Sequence, residues 1–244
     1  MPSSSFSQRI RKIVIVAGGA GGLGRAVSLA FLNEGDTVAV PYRSQAEFAA
    51  LSTAAGENAG SLDGQQLDVT DEASVKQFID GVVARHGHVH ALVNTVGGYI
   101  GGVKLWELAD AADLDRMLAL NVRSGFVLAR AAVRVMLRQG SGCIVNVAAR
   151  AAVDHPAGAS AYAASKAAAV AMIGSLAADL KGTGVRANSI LPSIIDTEAN
   201  RKAMPDADFS KWPKPDDIAR VILFLCSDEA KLVHGAAIPV YGNA

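Results

Sequence analysis

Tyr162 and Lys166 stand four residues apart in Tyr162-Ala-Ala-Ser-Lys166, within an alanine-rich run. On a helix such a pair shares one face. An ammonium beside a phenol favours the phenolate and lowers the tyrosine pKa, giving an acid–base group that works near neutral pH. That spacing recurs by chance too often to carry the chemistry alone. Well upstream, the turn Gly18-Gly-Ala-Gly-Gly22-Leu-Gly24 follows the apolar run 13–17. Glycines at 18, 22 and 24 suit a tight turn, close backbone approach to a pyrophosphate and close helix packing. A helix opening there aims its first amides at the phosphates. The two features in this order imply a dinucleotide site serving a proton donor.

The elements that must position these groups follow from the apolar pattern. Strands are expected over 13–17, 37–40, 65–69, 91–96, 143–149, 185–191 and 237–240. Helices are expected over 23–33, 71–86, 112–138, 160–180 and 216–227, and another opens at the capping box Ser44-Gln-Ala-Glu47. Gly35 stands where the first helix should end. Asn121 interrupts the 112–138 pattern with a mediocre helix former, so a local backbone irregularity is expected there. Alternating β and α units imply an α/β fold: a single doubly wound parallel sheet with helices on both faces. Ligands then bind at the carboxyl ends of the strands, beside the switch point. Residues 1–10 are expected to form a tail, and 11–244 a single domain.

Half of the 244 residues are hydrophobic, and 23 basic residues balance 23 acidic ones. No basic stripe points to nucleic acid. Cys143 and Cys226 lie in apolar runs and are expected as small buried hydrophobes, with neither a disulfide nor a metal site. The polar first residues lack a signal-peptide core, and no segment is expected to have the length and apolarity to span a bilayer. A soluble cytoplasmic protein is the expectation.

The order of motifs resembles the short-chain dehydrogenase/reductase family: Gly-x-x-x-Gly-x-Gly, Asp68-Val69, Asn94-x-x-Gly97, Asn121, Tyr162-x-x-x-Lys166, then Pro192 and Thr197. The resemblance runs from about residue 11 to the end and implies a Rossmann fold with NAD(P)-dependent hydride transfer between nicotinamide and a carbonyl or alcohol. It implies a cofactor cradle of Gly18, Gly22, Leu23 and Gly24, with Asp68 on the adenine amine and Val69 lining the adenine pocket. Asn94 and Gly97 would frame the adenosine side, and Pro192, Ile195 and Thr197 would border the nicotinamide. Tyr162 would protonate the substrate oxygen. Lys166 would lower the Tyr162 pKa and bind the nicotinamide ribose, and Asn121 would hold a water that relays protons to Lys166. Members of the family usually form tetramers or dimers through the helices carrying Asn121 and Tyr162.

Three departures from the family pattern matter. Ala17 stands where a threonine usually braces the glycine turn. Tyr42 and Arg43 end the second strand where NAD-preferring members carry an acid; a guanidinium suits a 2′-phosphate, so NADP is expected over NAD. Ala149 occupies the place of the usual catalytic serine, thirteen residues before Tyr162. Losing one such donor typically costs about 10²–10³ in rate. Three outcomes are compatible with it: a substitute donor from Arg150, His155 or Ser160, a slow reductase, or a protein that binds NADP without turnover. Ser160 has the alternative of capping the Tyr162 helix, His155 of a loop position and Arg150 of a surface ion pair. A lid over 198–212 and apolar walls from Tyr99, Ile100 and Trp106 suit a small or medium apolar carbonyl or alcohol.

Overall fold

The strand that precedes the glycine turn, β1 (Ile13–Ala17), is buried along its whole length in a computed structural model that describes residues 10–243. Most of the expected tail, 1–9, lies outside the described residues. Strand side chains alternate between faces. Accordingly Ile13, Ile15 and Ala17 join one apolar cluster while Val14 and Val16 join another. The second cluster is completed by α1 (Gly22–Asn33), α2 (Gln45–Ala55) and α9 (Pro215–Leu225). The first is completed by α3 (Glu72–His86), α5 (Ser124–Gln139) and α7 (Ser160–Asp179).

The remaining strands are β2 (Thr37–Tyr42), β3 (Leu62–Gln66), β4 (Ala91–Asn94), β5 (Gly142–Val147), β6 (Val185–Pro192) and β7 (Ala237–Val240). All seven pair in parallel, in the order β3-β2-β1-β4-β5-β6-β7. Chain order reverses between β1 and β4, so the switch point lies at their carboxyl ends. Three shorter or interrupted helices complete the chain: α4 (Ala112–Leu118), α6 (Ala151–Asp154) and α8 (Glu198–Ala203).

Local chemistry sets the boundaries. Ser44 accepts the Glu47 amide at 3.2 Å and caps α2. Asp71 accepts the Ser74 amide at 2.8 Å and caps α3. Gly35, with φ of +81°, turns the chain just beyond α1. Two expectations are corrected. β3 covers 62–66 instead of 65–69, because Leu67 and Val69 are buried against the α3 side as loop residues. By length and composition α7 does pass as a membrane-spanning segment, with 20 residues and a mean hydropathy of 1.3. Its Ile173 and Ala177 pack into the sheet's apolar cluster and Lys166 is buried, as in the core helix of a globular domain.

His90 fastens the amino ends of the central strands. Its Nδ1 accepts the Ile13 amide at 2.9 Å, its own amide donates to the Ile13 carbonyl at 2.8 Å, and its carbonyl accepts the Cys143 amide at 3.0 Å. Burial, with the neighbouring charges of His88 and Lys12, pushes its pKa down to about 4. The folded value lies below the unfolded one, so the unfolded chain takes up the proton first. The stabilising effect of neutral His90 is therefore complete above the ordinary histidine range and is lost as pH falls toward 4. The wild-type melting temperature is expected to fall across that window. H90Q, whose amide oxygen can still accept the Ile13 amide, is expected to fall less. Parallel pH curves for the two proteins would refute this role.

Candidate active site

The glycine turn is built by close approach. Gly18 has φ of +75°, and a Cβ there would lie 2.8 Å from Thr95 Oγ1. A Cβ on Gly24 would overlap the Gly18 carbonyl and lie 2.7 Å from the same hydroxyl. Thr95 in turn donates to the Ala17 carbonyl through its amide at 2.9 Å and its hydroxyl at 2.8 Å. The turn that lacks a threonine at Ala17 is thus braced from the end of β4. Gly19, which the motif spacing did not single out, is also enclosed: a Cβ would lie 2.6 Å from Ser28 Oγ. No side chain caps α1, whose N-cap is Gly21, so its first turn is available to an anion.

A cleft of about 510 Å³ opens over this turn. Gly18, Gly22, Leu23 and Gly24 form its floor, Arg43, Asp68 and Val69 border it, and Gly97 lies along its wall. Asp68 accepts both the amide and the hydroxyl of Thr70 at 2.8 Å. These two bonds, with the nearby charge of Arg43, hold its carboxyl below the ordinary aspartate range. The remaining expected cofactor residues lie on neighbouring elements. Thr197 caps α8 by accepting the Asn200 amide at 3.2 Å, and a Cβ on Gly22 would meet its methyl at 3.4 Å. Ile195 packs against the α1 and α9 cluster. Asn94 and Pro192 hold strand ends: Asn94 Nδ2 donates to Asn146 Oδ1 at 2.8 Å, and the Pro192 carbonyl accepts the Arg150 amide at 2.7 Å. The uncapped helix, the cradle that a Cβ would fill and the Arg43–Asp68 end suit a dinucleotide.

Asn121 lies in a π-helical turn, Ala119–Arg123, between α4 and α5. Such single turns mark side chains pulled out of helical register, and the expected irregularity is present. Asn121 Oδ1 accepts the Gly98 amide at 2.9 Å, and its Nδ2 donates to the Gly98 carbonyl at 3.1 Å and to Ser165 Oγ at 2.9 Å. Ser165 Oγ donates to the Tyr162 carbonyl at 2.7 Å. Lys166 Nζ is buried and donates to the Val147 carbonyl at 3.1 Å. A Cβ on Gly97 would lie 2.9 Å from Asn121 Oδ1 and 3.0 Å from Lys166 Nζ. Gly97 is therefore the point at which the cleft wall meets both groups.

The electrostatics correct one expectation. Lys166 does not lower the Tyr162 pKa in this arrangement, because its Nζ lies 6.0 Å from the Tyr162 ring centroid and is turned to Val147. Burial, with a contribution from Tyr99, pushes Tyr162 up to about 12. Burial also pushes Lys166 down to about 8. At neutral pH the pair is a phenol beside an ammonium.

Ala149 is buried, and its carbonyl accepts the Ala152 amide at 3.0 Å. The three expected substitutes are placed differently. Arg150 pairs with Asp154 and stacks 4.9 Å over the Tyr241 ring. His155 is exposed in the left-handed region, with φ of 50°, at the end of α6. Ser160 is the first residue of α7 and does not cap it, since Ala159 is the N-cap. It lines a small crevice with Ile100, Gly101 and Leu108. Tyr99, expected only as an apolar wall, packs edge-on against Tyr162, with ring centroids 4.9 Å apart and planes at 76°. In the lid region Arg201 pairs with Asp196 and lies 4.8 Å over the Phe209 ring.

Residues 12–208 match the model of the short chain dehydrogenase family. The chain belongs to the short-chain dehydrogenase/reductase family. It is 32% identical over 240 residues to the 3-oxoacyl-[acyl-carrier-protein] reductase of Thermotoga maritima, covering 95% of this chain and 97% of that one. It is 34% identical over 241 residues to the D-threitol dehydrogenase of Mycolicibacterium smegmatis, covering 95% and 92%. Among solved structures, an NAD+-bound xylitol dehydrogenase superposes with a TM-score of 0.87 at 25% identity, covering 95% and 98%.

Two glycine variants separate folding from binding in this family member. G24A forces an overlap with backbone, so it is expected to lower stability by about 1–3 kcal/mol, read as a drop in melting temperature. G22A meets only ordinary contact and gains helix propensity, so its melting temperature should hold. Its NADPH affinity should fall about tenfold or more, which corresponds to about 1.4 kcal/mol, because the methyl stands where a phosphate would approach. Wild-type NADPH binding by G22A would displace the phosphate from this turn.

Proposed function

We propose that the protein is an NADP-preferring oxidoreductase that moves hydride between nicotinamide and the carbonyl or alcohol carbon of a small apolar substrate, with Ala149 in place of the usual catalytic serine. The observation that carries this reading is the meeting of Asn121 and Lys166 at Gly97, on the wall of the same cleft whose floor is the glycine turn. When bound, the nicotinamide supplies or accepts the hydride. Gly18, Gly22, Leu23 and Gly24 hold the pyrophosphate, Asp68 and Val69 the adenine, and Ile195 and Thr197 the far end, with Asn94, Gly97 and Pro192 shaping the walls. Tyr162 gives its phenolic proton to the substrate oxygen as negative charge develops there. Lys166, charged at neutral pH, donates to the nicotinamide ribose. Asn121 fixes the Gly98 backbone and, through Ser165, the Tyr162 turn of α7, so the phenol is held in one place while its proton moves.

Support for NADP over NAD comes from Arg43. It borders the cleft near Asp68, and the acid of NAD-preferring members is replaced by Tyr42. A 2′-phosphate would take charge-assisted hydrogen bonds from the guanidinium. Exposed Phe126 and Leu137 on α5 support a dimer or tetramer through the helices flanking Asn121 and Tyr162. Ala149 favours a second reading, an NADP-binding protein with little or no turnover.

Fluorescence titration of NADPH against NADH, with a panel of carbonyls in the same cuvette, tests both readings. R43Q is expected to weaken NADPH about tenfold or more, the worth of a charged hydrogen bond, while leaving NADH within about threefold. Equal effects on both cofactors would remove Arg43 from the 2′-phosphate. A149S restores a hydroxyl donor, so its turnover is expected to equal or exceed that of wild type, by up to about 10²-fold where no other group donates to the substrate oxygen. Tight NADPH binding with no turnover by wild type or A149S would leave the binding reading standing.

A further inference from the structure

We propose that the Tyr99 hydroxyl donates the second hydrogen bond to the substrate oxygen, in the site where Ala149 offers only a methyl group. The inference rests on the oxidoreductase reading above and extends it to a residue on a different element.

Three observations carry it. Tyr99 lies on the loop that leaves the carboxyl end of β4, the end of the sheet at which the cleft opens. Its ring sits edge-on to Tyr162 at 4.9 Å, so the two phenols border the same space. The loop is clamped on both sides of it: Gly98 exchanges two hydrogen bonds with Asn121, and the Gly102 amide donates to the Gly158 carbonyl at 2.8 Å.

Room for the phenol is specific as well. A Cβ on Gly101 would overlap the Tyr99 hydroxyl, so the glycine leaves that oxygen its place. Tyr99 is 63% exposed, whereas Tyr162 is the more enclosed of the two. The other donors near Ala149 are engaged or turned elsewhere, with Arg150 on Asp154 and Tyr241, and Ser160 in the crevice beside Ile100. The shift of Tyr162 upward by Tyr99 reflects the same proximity. In the step itself Tyr162 transfers its proton to the substrate oxygen, while Tyr99 donates a hydrogen bond and keeps its proton.

The test is a cycle of wild type, Y99F, A149S and Y99F/A149S, with melting temperatures confirming that each is folded. In the wild-type background Y99F is expected to lower kcat about 10²-fold and to leave KM within about threefold. In the A149S background, where a hydroxyl has been restored, the same substitution should cost no more than about threefold. A binding readout runs in parallel. With oxidised cofactor present, trifluoroethanol, an acidic alcohol that resists oxidation, should bind about tenfold more weakly to Y99F, a loss of about 1.4 kcal/mol, and the double variant should recover. Unchanged kcat in Y99F, or equal losses in both backgrounds, overturns the assignment while leaving the oxidoreductase intact. No turnover by wild type or A149S on any carbonyl overturns both.

Discussion

A buried ammonium constrains this structure more than any other single group. Moving a lysine charge out of water costs several kcal/mol, and the depression of Lys166 to about 8 expresses that cost. The Val147 carbonyl meets one of its three donors, and Asn121 Oδ1 shares with it the space that a Cβ on Gly97 would fill. The first contact fastens α7 to the carboxyl end of β5. Tyr162, one helical turn back from Lys166, is thereby fixed at the mouth of the site. The second demands a residue without a side chain at 97 and an asparagine drawn inward at 121. The π turn does the drawing, at a point where regular helix would place the amide elsewhere.

The segment that follows β4 transmits this constraint to the rest of the fold. Asn94 bonds Asn146 on β5, Thr95 bonds the Ala17 carbonyl at the end of β1, Gly97 packs on Lys166, and Gly98 bonds Asn121. Nearly successive residues thus tie the glycine turn, the neighbouring strand, the ammonium and the π turn together, next to the switch point. The glycine turn and Tyr162 come from distant parts of the chain, and this short stretch ties their surroundings together. Its extended backbone presents side chains and amides alternately to the two sides, which is how so few residues reach so many elements.

The architecture was legible because burial on both faces leaves an apolar mark. β1, β4 and β5 are near-continuous hydrophobic runs, as strands covered by helices on both faces must be. β3 left no such mark. It is a polar edge strand, Leu-Asp-Gly-Gln-Gln, and the apolar residues just after it, Leu67 and Val69, suggested a strand three residues too late. The glycines at 18 and 24 were legible for a related reason, since the close approach of the turn leaves no room for a side chain there. Gly19 was not, because its constraint is set by Ser28 Oγ and the Val16 carbonyl rather than by a ligand. The Tyr162–Lys166 spacing showed which residues share a face but not which way the ammonium turns. The sign of the Tyr162 shift follows from burial, which the spacing does not show either. Tyr99 was legible as an aromatic and not as a partner of Tyr162, because a glycine-rich loop gives no periodicity from which a contact follows.

The charge state of the pair bears on what the absence of a hydroxyl at Ala149 means. A phenol raised to about 12 near an ammonium keeps its proton at neutral pH. In the proposed reaction it would surrender that proton to an alkoxide, which is the stronger base, but as a phenol it would be a poor acceptor for the reverse reaction. Proton abstraction from an alcohol needs the phenolate, and burial opposes that species unless positive charge or further donors stand close to it. With Lys166 turned to Val147, the protein's own groups supply little of that support. A donor directed at the substrate oxygen helps in either direction, because it stabilises the charge where it develops instead of where the proton started. On the proposed reading, the hydroxyl missing at Ala149 is a donor that the Tyr162–Lys166 pair cannot restore by adjusting its own pKa. Any replacement must lie within reach of the substrate oxygen and outside that pair.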